Sequence, residues 1–164
     1  MEACEAREIC MWNCVSESKK ATVFTQLSHL HNIMYQNFSG ILFRNALDYI
    51  FSYALLPDDV APRLVTSHFR AIMPRSQDAE VLILNNKGFN AARKHIKVEH
   101  ITSIKTLGMK FRHQDFEFVC KNFNVCIVTN SEYDFLGKGC GHERYGSTIK
   151  LLVPQEKMII RSEA

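Results

Sequence analysis

An α+β architecture is expected for these 164 residues: an N-terminal helical half over residues 1–75, packed on a mainly antiparallel sheet from residues 76–164. Up to Pro74 the apolar residues recur at helical spacing, and beyond it they alternate or run together as strands do. Internal repeats and low-complexity linkers are both lacking, so a single domain is expected, and 46% hydrophobic with 23% charged residues suits a real core.

Residues 2–20 read as a first helix, with acidic residues leading and Lys19-Lys20 near its end, where each sign suits the helix dipole. Ile9, Trp12 and Val15 can pack one face. Cys10 and Cys14 are four apart and share a helical face, but with no CxxC or HxxxH nearby they read as small buried hydrophobes. A second helix is expected over residues 22–35, with Phe24, Leu27, Leu30, Ile33 and Met34 apolar. His29 and His31 lie on it, diverging by about 200°, so they cannot share a metal. Ser39 is the expected cap of a third helix over residues 41–55. Its broad stripe is Ile41, Leu42, Ala46, Leu47, Ile50, Phe51 and Ala54, with Arg44, Asn45 and Asp48 opposite.

Pro57 ends that helix, because the residue before a proline is driven out of the α region. Leu56-Pro57 is then a tight corner. A fourth helix is expected from Asp58, a good N-cap, tolerating Pro62 near its first turn and stopping at Pro74. Val60, Leu64 and Ile72, with Phe69 nearby, make its apolar stripe. Leu56-Pro57, the acidic Asp58-Asp59, the aliphatic Val60 and the closing Pro74 resemble a minimal F-box of the kind found in polerovirus silencing suppressors. Val60 stands where that pattern has Leu or Ile. The resemblance implies a non-enzymatic adaptor in which Leu56, Pro57, Val60, Leu64 and Pro74 serve the Skp-type adaptor of a cullin–RING ubiquitin ligase. It further implies a captured target such as Argonaute, and suppression of RNA silencing through its degradation.

In the second half, residues 79–84 form an apolar run expected to be a buried strand, and residues 85–88 a turn. Residues 89–95 suit a short helix. Val98, Ile101 and Ile104 suit an irregular strand, with another beginning at Phe111. Phe116, Phe118 and Cys120 alternate, as do Val125, Ile127 and Thr129, so a hairpin turning at residues 121–124 is expected. Residues 147–153 and 157–160 would close the sheet.

Charge is uneven. Residues 1–60 carry a balance of −3, residues 61–120 of +5, and the remainder +1. Lys87, Arg93, Lys94, Lys97, Lys105, Lys110 and Arg112, accompanied by His95, His100 and His113, make a basic segment that could track an RNA backbone. This is the alternative function. Cys140 and His142, among three glycines, are a half-complete zinc pair and a weak nucleophile–base pair, so neither a metal nor another cofactor is expected. Walker A, HExxH, nucleophile-elbow and Rossmann patterns do not occur, and no enzymatic activity is expected. The longest stretch without a formal charge, residues 21–43, is too polar to span a membrane, and no secretory signal opens the chain. The six cysteines therefore read as thiols of a reducing compartment, the cytosol or the nucleus.

Overall fold

The computed structural model describes residues 1–136 and 149–154. The chain opens with strand β1 (Glu2–Cys4) and two 3-10 turns, Ala6–Glu8 and Met11–Cys14. A continuous helix over residues 2–20 does not form, because Cys4, Ala6, Ile9, Cys10, Met11, Trp12 and Val15 are all buried. That pattern is too dense for one helical stripe, and long-range bonds hold the segment instead. The Met11 N–H donates to the Asn124 carboxamide at 2.8 Å.

Helix α1 (Glu17–Met34) buries Val23, Leu27, His31 and Met34. Its inward stripe is displaced from the expected one, leaving Phe24 and Ile33 exposed. His29 is exposed and His31 buried, as their angular separation requires. In α2 (Gly40–Ala54) the Ser39 hydroxyl accepts from the Leu42 N–H, as the cap reading expects. Phe43, Leu47, Ile50, Phe51 and Ala54 face the core, while Ile41 and Leu42 face outward.

No helix starts at Asp58. Residues 57–60 form a turn closed by the Val60 N–H on the Pro57 carbonyl at 3.1 Å. A 3-10 turn, Pro62–Leu64, leads into α3 (Val65–Ile72). The cause is Pro62. It holds Ala61 in an extended conformation (φ −62°, ψ 136°), so the backbone cannot stay helical from Asp58 through it. Pro62 takes the first position of the 3-10 turn, where its missing N–H costs nothing.

Beyond Pro74 come β2 (Arg75–Ser76), α4 (Gln77–Asn85), α5 (Phe89–Ala92), β3 (Ile96–His100), α6 (Ile104–Arg112), α7 (Phe116–Asn122), β4 (Val125–Thr129), α8 (Asn130–Leu136) and β5 (Leu151–Val153). Residues 79–84 belong to a helix, not a strand. Ser76 caps it by accepting from the Ala79 N–H at 3.1 Å, and Ala79 and Ile83 alone are fully buried on it. The strands expected at Phe111 and at residues 116–120 are also helical, so the hairpin at residues 121–124 is a helix-to-strand connection. The expected strand at residues 157–160 and the Cys140–His142 loop lie outside the described residues.

One five-stranded sheet has the order β1-β5-β2-β4-β3. All its pairs are antiparallel except β2 with β4. The α+β class holds, but the halves interpenetrate: β1 comes from the first residues, and α4 to α8 follow Ser76. Two aromatic clusters fill the core. Phe51 stacks on Phe123 at 4.3 Å with Trp12 edge-on to Phe51, and Phe43 packs on Phe111 at 4.7 Å, flanked by Phe38 and Phe116. Burying each such ring contributes on the order of 1.5–3 kcal/mol.

Candidate nucleic-acid interface

Strand β3 is terminal in the sheet order, and a groove of about 760 Å³ runs beside it. Helix α2 supplies one wall through two adjacent rows at helical spacing: Arg44, Asp48 and Ser52, then Tyr49 and Tyr53. Helix α3 supplies Thr66, Phe69 and Arg70. Phe89 and Arg93 come from α5 and its C-terminal end, Lys97 and Glu99 from β3, and Tyr133 from α8. Four cations thus converge from four elements, against the two carboxylates of Asp48 and Glu99.

The cations interleave with rings. The Arg70 guanidinium lies 4.5 Å from the centre of Phe89 and donates to the Asn90 carboxamide at 3.1 Å, which fixes its direction. Lys97 Nζ stands 4.6 Å from the centre of Tyr133. Tyr49 and Tyr53 pack on each other at 4.7 Å and 46°, with Tyr49 62% exposed. Asp48 is engaged: its Oδ1 lies 2.8 Å from Nε2 of His100, a buried imidazole edge-on to Phe123. That contact ties α2 to the end of β3 and holds the two walls together.

The groove, with two recesses that share lining residues with it, makes up a furrow. On one side it shares Arg70 and Phe89 with a recess of about 460 Å³ bordered by Lys87 and Gly88. On the other it shares Arg44, Val98 and Glu99 with a recess of about 320 Å³ between the first residues of α2 and α6. No family model, curated protein or solved structure matches the chain. The interface is therefore read from its own geometry.

Of the basic segment, Lys87, Arg93 and Lys97 border this furrow. Lys94 is exposed, and its carbonyl accepts from Asn130. Lys105, Lys110 and Arg112 belong to α6, where Lys110 covers Phe118 and Arg112 covers Phe38. Arg112 borders a separate pocket of about 500 Å³ with His31, Tyr35 and Phe38. The segment is therefore divided between two surfaces. Charge counting along the chain missed Arg44, Arg70, Tyr49 and Tyr53. The available signal was the row Arg44, Asp48, Ser52 beside Tyr49 and Tyr53, a polar and aromatic face on a helix that otherwise reads as core.

In the Leu-Pro stretch Leu56 is 6% exposed and Pro74 is buried. The Leu56 carbonyl accepts from Lys19 Nζ, which also pairs with Asp58 at 3.2 Å, so the corner is fastened to α1. Pro57 and Val60 are half-buried, and Leu64 is 39% exposed. Phe69 and Ile72 of the expected stripe are buried. Among the described residues no three His, Cys, Asp or Glu side chains are placed to hold a metal ion, and no helix is long and apolar enough to cross a membrane.

Proposed function

We propose that the protein is a non-enzymatic module that binds nucleic acid along the furrow beside β3. One observation carries this reading: Arg44, Arg70, Arg93 and Lys97, brought from four elements, line one groove together with Tyr49, Tyr53, Phe89 and Tyr133. Cations meet the phosphates, and rings and carboxylates face the bases or sugars, which is the division of labour such interfaces use.

Salt titration of binding to a fluorescent RNA oligonucleotide tests it. Each neutralised phosphate adds about 0.7–0.9 to the slope of log affinity against log salt, so engagement of all four cations gives a slope of roughly −3. Arg93→Gln and Lys97→Gln are each expected to flatten it by about one unit. Lys110→Gln, at a residue that lies over Phe118 and lines none of the three recesses, is expected to leave it unchanged. Salt-independent binding, or equal effects at all three positions, would overturn the reading.

The Leu-Pro stretch supports a second reading, docking to a Skp-type adaptor with a target such as Argonaute, on the strength of the exposed Leu64 and the half-buried Val60. With Leu56 and Pro74 buried, Pro57, Val60 and Leu64 carry the contact. Leu64→Asp is then expected to abolish capture of the adaptor while the circular dichroism stays that of the native protein. Undiminished capture would remove this reading.

A further inference from the structure

Resting on the nucleic-acid reading of the same furrow, we infer that its ligand is a single strand, with unpaired bases stacked on Tyr49 and Tyr53 and the backbone threaded from Lys87 towards Ser103. Three observations combine. First, the three recesses are neighbours that together offer a path: Arg70 and Phe89 border both the first and the second, and Arg44, Val98 and Glu99 border both the second and the third. A linear polymer fits such a path, whereas a duplex presents a wide cylinder of phosphates.

Second, the rings differ in what already covers them. Phe69 is buried, Arg70 occupies a face of Phe89, and Lys97 occupies a face of Tyr133. Tyr49 and Tyr53 lean on each other at 4.7 Å but have no cation over them among the described contacts, and are 62% and 37% exposed, against 37% for Tyr133. Large rings left open to water on one helix face match the flat surface of an unpaired base, which a duplex keeps inside its own stack.

Third, cations and open rings line the same groove. Arg44 precedes Tyr49 by five residues, about 1.4 turns and so about 140° round α2, and Arg70, Arg93 and Lys97 come from α3, the end of α5 and β3. Phosphates can follow the cations while bases turn towards the tyrosines. An acidic peptide would use the cations and leave both rings idle.

Fluorescence anisotropy on the full chain at low salt tests this with five probes: a single-stranded RNA, the DNA of the same sequence, the corresponding duplex, a fully abasic strand of equal length, and polyglutamate. Both intact single strands are expected to bind at least about tenfold more tightly than the duplex, the abasic strand or polyglutamate. Replacing both tyrosines, Tyr49→Ala with Tyr53→Ala, is expected to lower single-strand affinity about tenfold, without altering abasic-strand binding or the salt slope. Tyr49→Phe with Tyr53→Phe is expected to restore it, and circular dichroism of each variant verifies folding. Duplex or polyglutamate binding as tight as the single strand overturns the inference, as does an unchanged affinity in the folded alanine variant. If no nucleic acid binds at any salt concentration, the nucleic-acid reading itself falls.

Discussion

Burial acts on single side chains most visibly at the cysteines. Cys120, with no exposed surface on α7, has its thiol pushed up to about 12, chiefly by desolvation and then by Glu117. Desolvation, with Glu8 and Glu2 adding to it, pushes Cys4 up to about 11, and desolvation with Cys10 pushes Cys14 up to about 12. In each case the fold favours the protonated thiol, while the unfolded chain releases its proton near pH 8.5–9. The unfolded state therefore binds fewer protons above pH 9, and stability falls as pH rises from about 9 towards 11–12. Denaturant midpoints are expected to hold from pH 7 to 8 and drop between pH 9 and 10.5. Cys120→Ala is expected to lower the midpoint at pH 7, through lost packing, yet to make the alkaline decline shallower. An equally steep decline in that variant would locate the alkaline sensitivity elsewhere.

At the scale of elements, caps decided more than propensity did. Ser76 accepts from the Ala79 N–H to cap α4 and donates to the Glu132 carboxylate. Glu132 in turn accepts from the Thr129 N–H, while Thr129 Oγ1 accepts from the Glu132 N–H, a capping box that starts α8. One hydroxyl thus joins the starts of two helices that follow the parallel pair β2 and β4. Ser76→Ala is expected to cost about 1–2 kcal/mol, a fall of roughly 2–8 °C in Tm, whereas Ser39→Ala, which frees only the start of α2, is expected to cost about half of that. Equal losses would mean that the Glu132 bond adds nothing.

The same caps mark what was legible. Ser39 before α2, and Val125, Ile127 and Thr129 in β4, read directly from the sequence, as did the burial of Leu47, Ile50 and Phe51. Helix α7 did not. Phe116, Phe118 and Cys120 alternate, but the fully buried set is Val119, Cys120 and Phe123, which is helical spacing, with Phe116 and Phe118 both half-buried, and the decisive signal was the Asp115 cap on the Phe118 N–H. Gln114, at φ 61°, turns the chain between α6 and α7 in the left-handed conformation that glycine usually supplies, so no glycine marked the corner. In α4 the run Val81-Leu82-Ile83-Leu84 looked buried because it is apolar throughout, yet Val81 and Leu84 are exposed. The furrow was half legible: Lys87, Arg93 and Lys97 stood out as charge, whereas Arg44, Arg70 and the tyrosines acquire meaning only once α2 and α3 lie beside β3.

Across the whole molecule, the ends of the described chain are tied to each other and to its middle. Glu2, Ala3 and Cys4 pair with Val153, Leu152 and Leu151, and β5 then pairs with β2 at Arg75 and Ser76. Arg75, buried, donates to the carbonyls of Arg70, Ala71 and Met73 at the end of α3 and pairs with Glu80 of α4 at 3.4 Å. Neither half could therefore unfold without exposing the other: losing the helices of the first half would strip Phe51 from Phe123 and Met11 from Asn124, leaving a buried carboxamide unsatisfied at about 1–3 kcal/mol. That coupling predicts one cooperative transition. Trp12, the only tryptophan, lies between Phe24 and Phe51 and reports on the first half, while far-ultraviolet dichroism sums helices α1 to α8 across both. Urea unfolding followed by the two signals is expected to give coincident midpoints and a single m-value of the size a whole chain of this length exposes. A tryptophan transition that precedes the loss of ellipticity would mean that the first half separates on its own, and that the walls of the furrow, α2 and β3, part before the sheet melts.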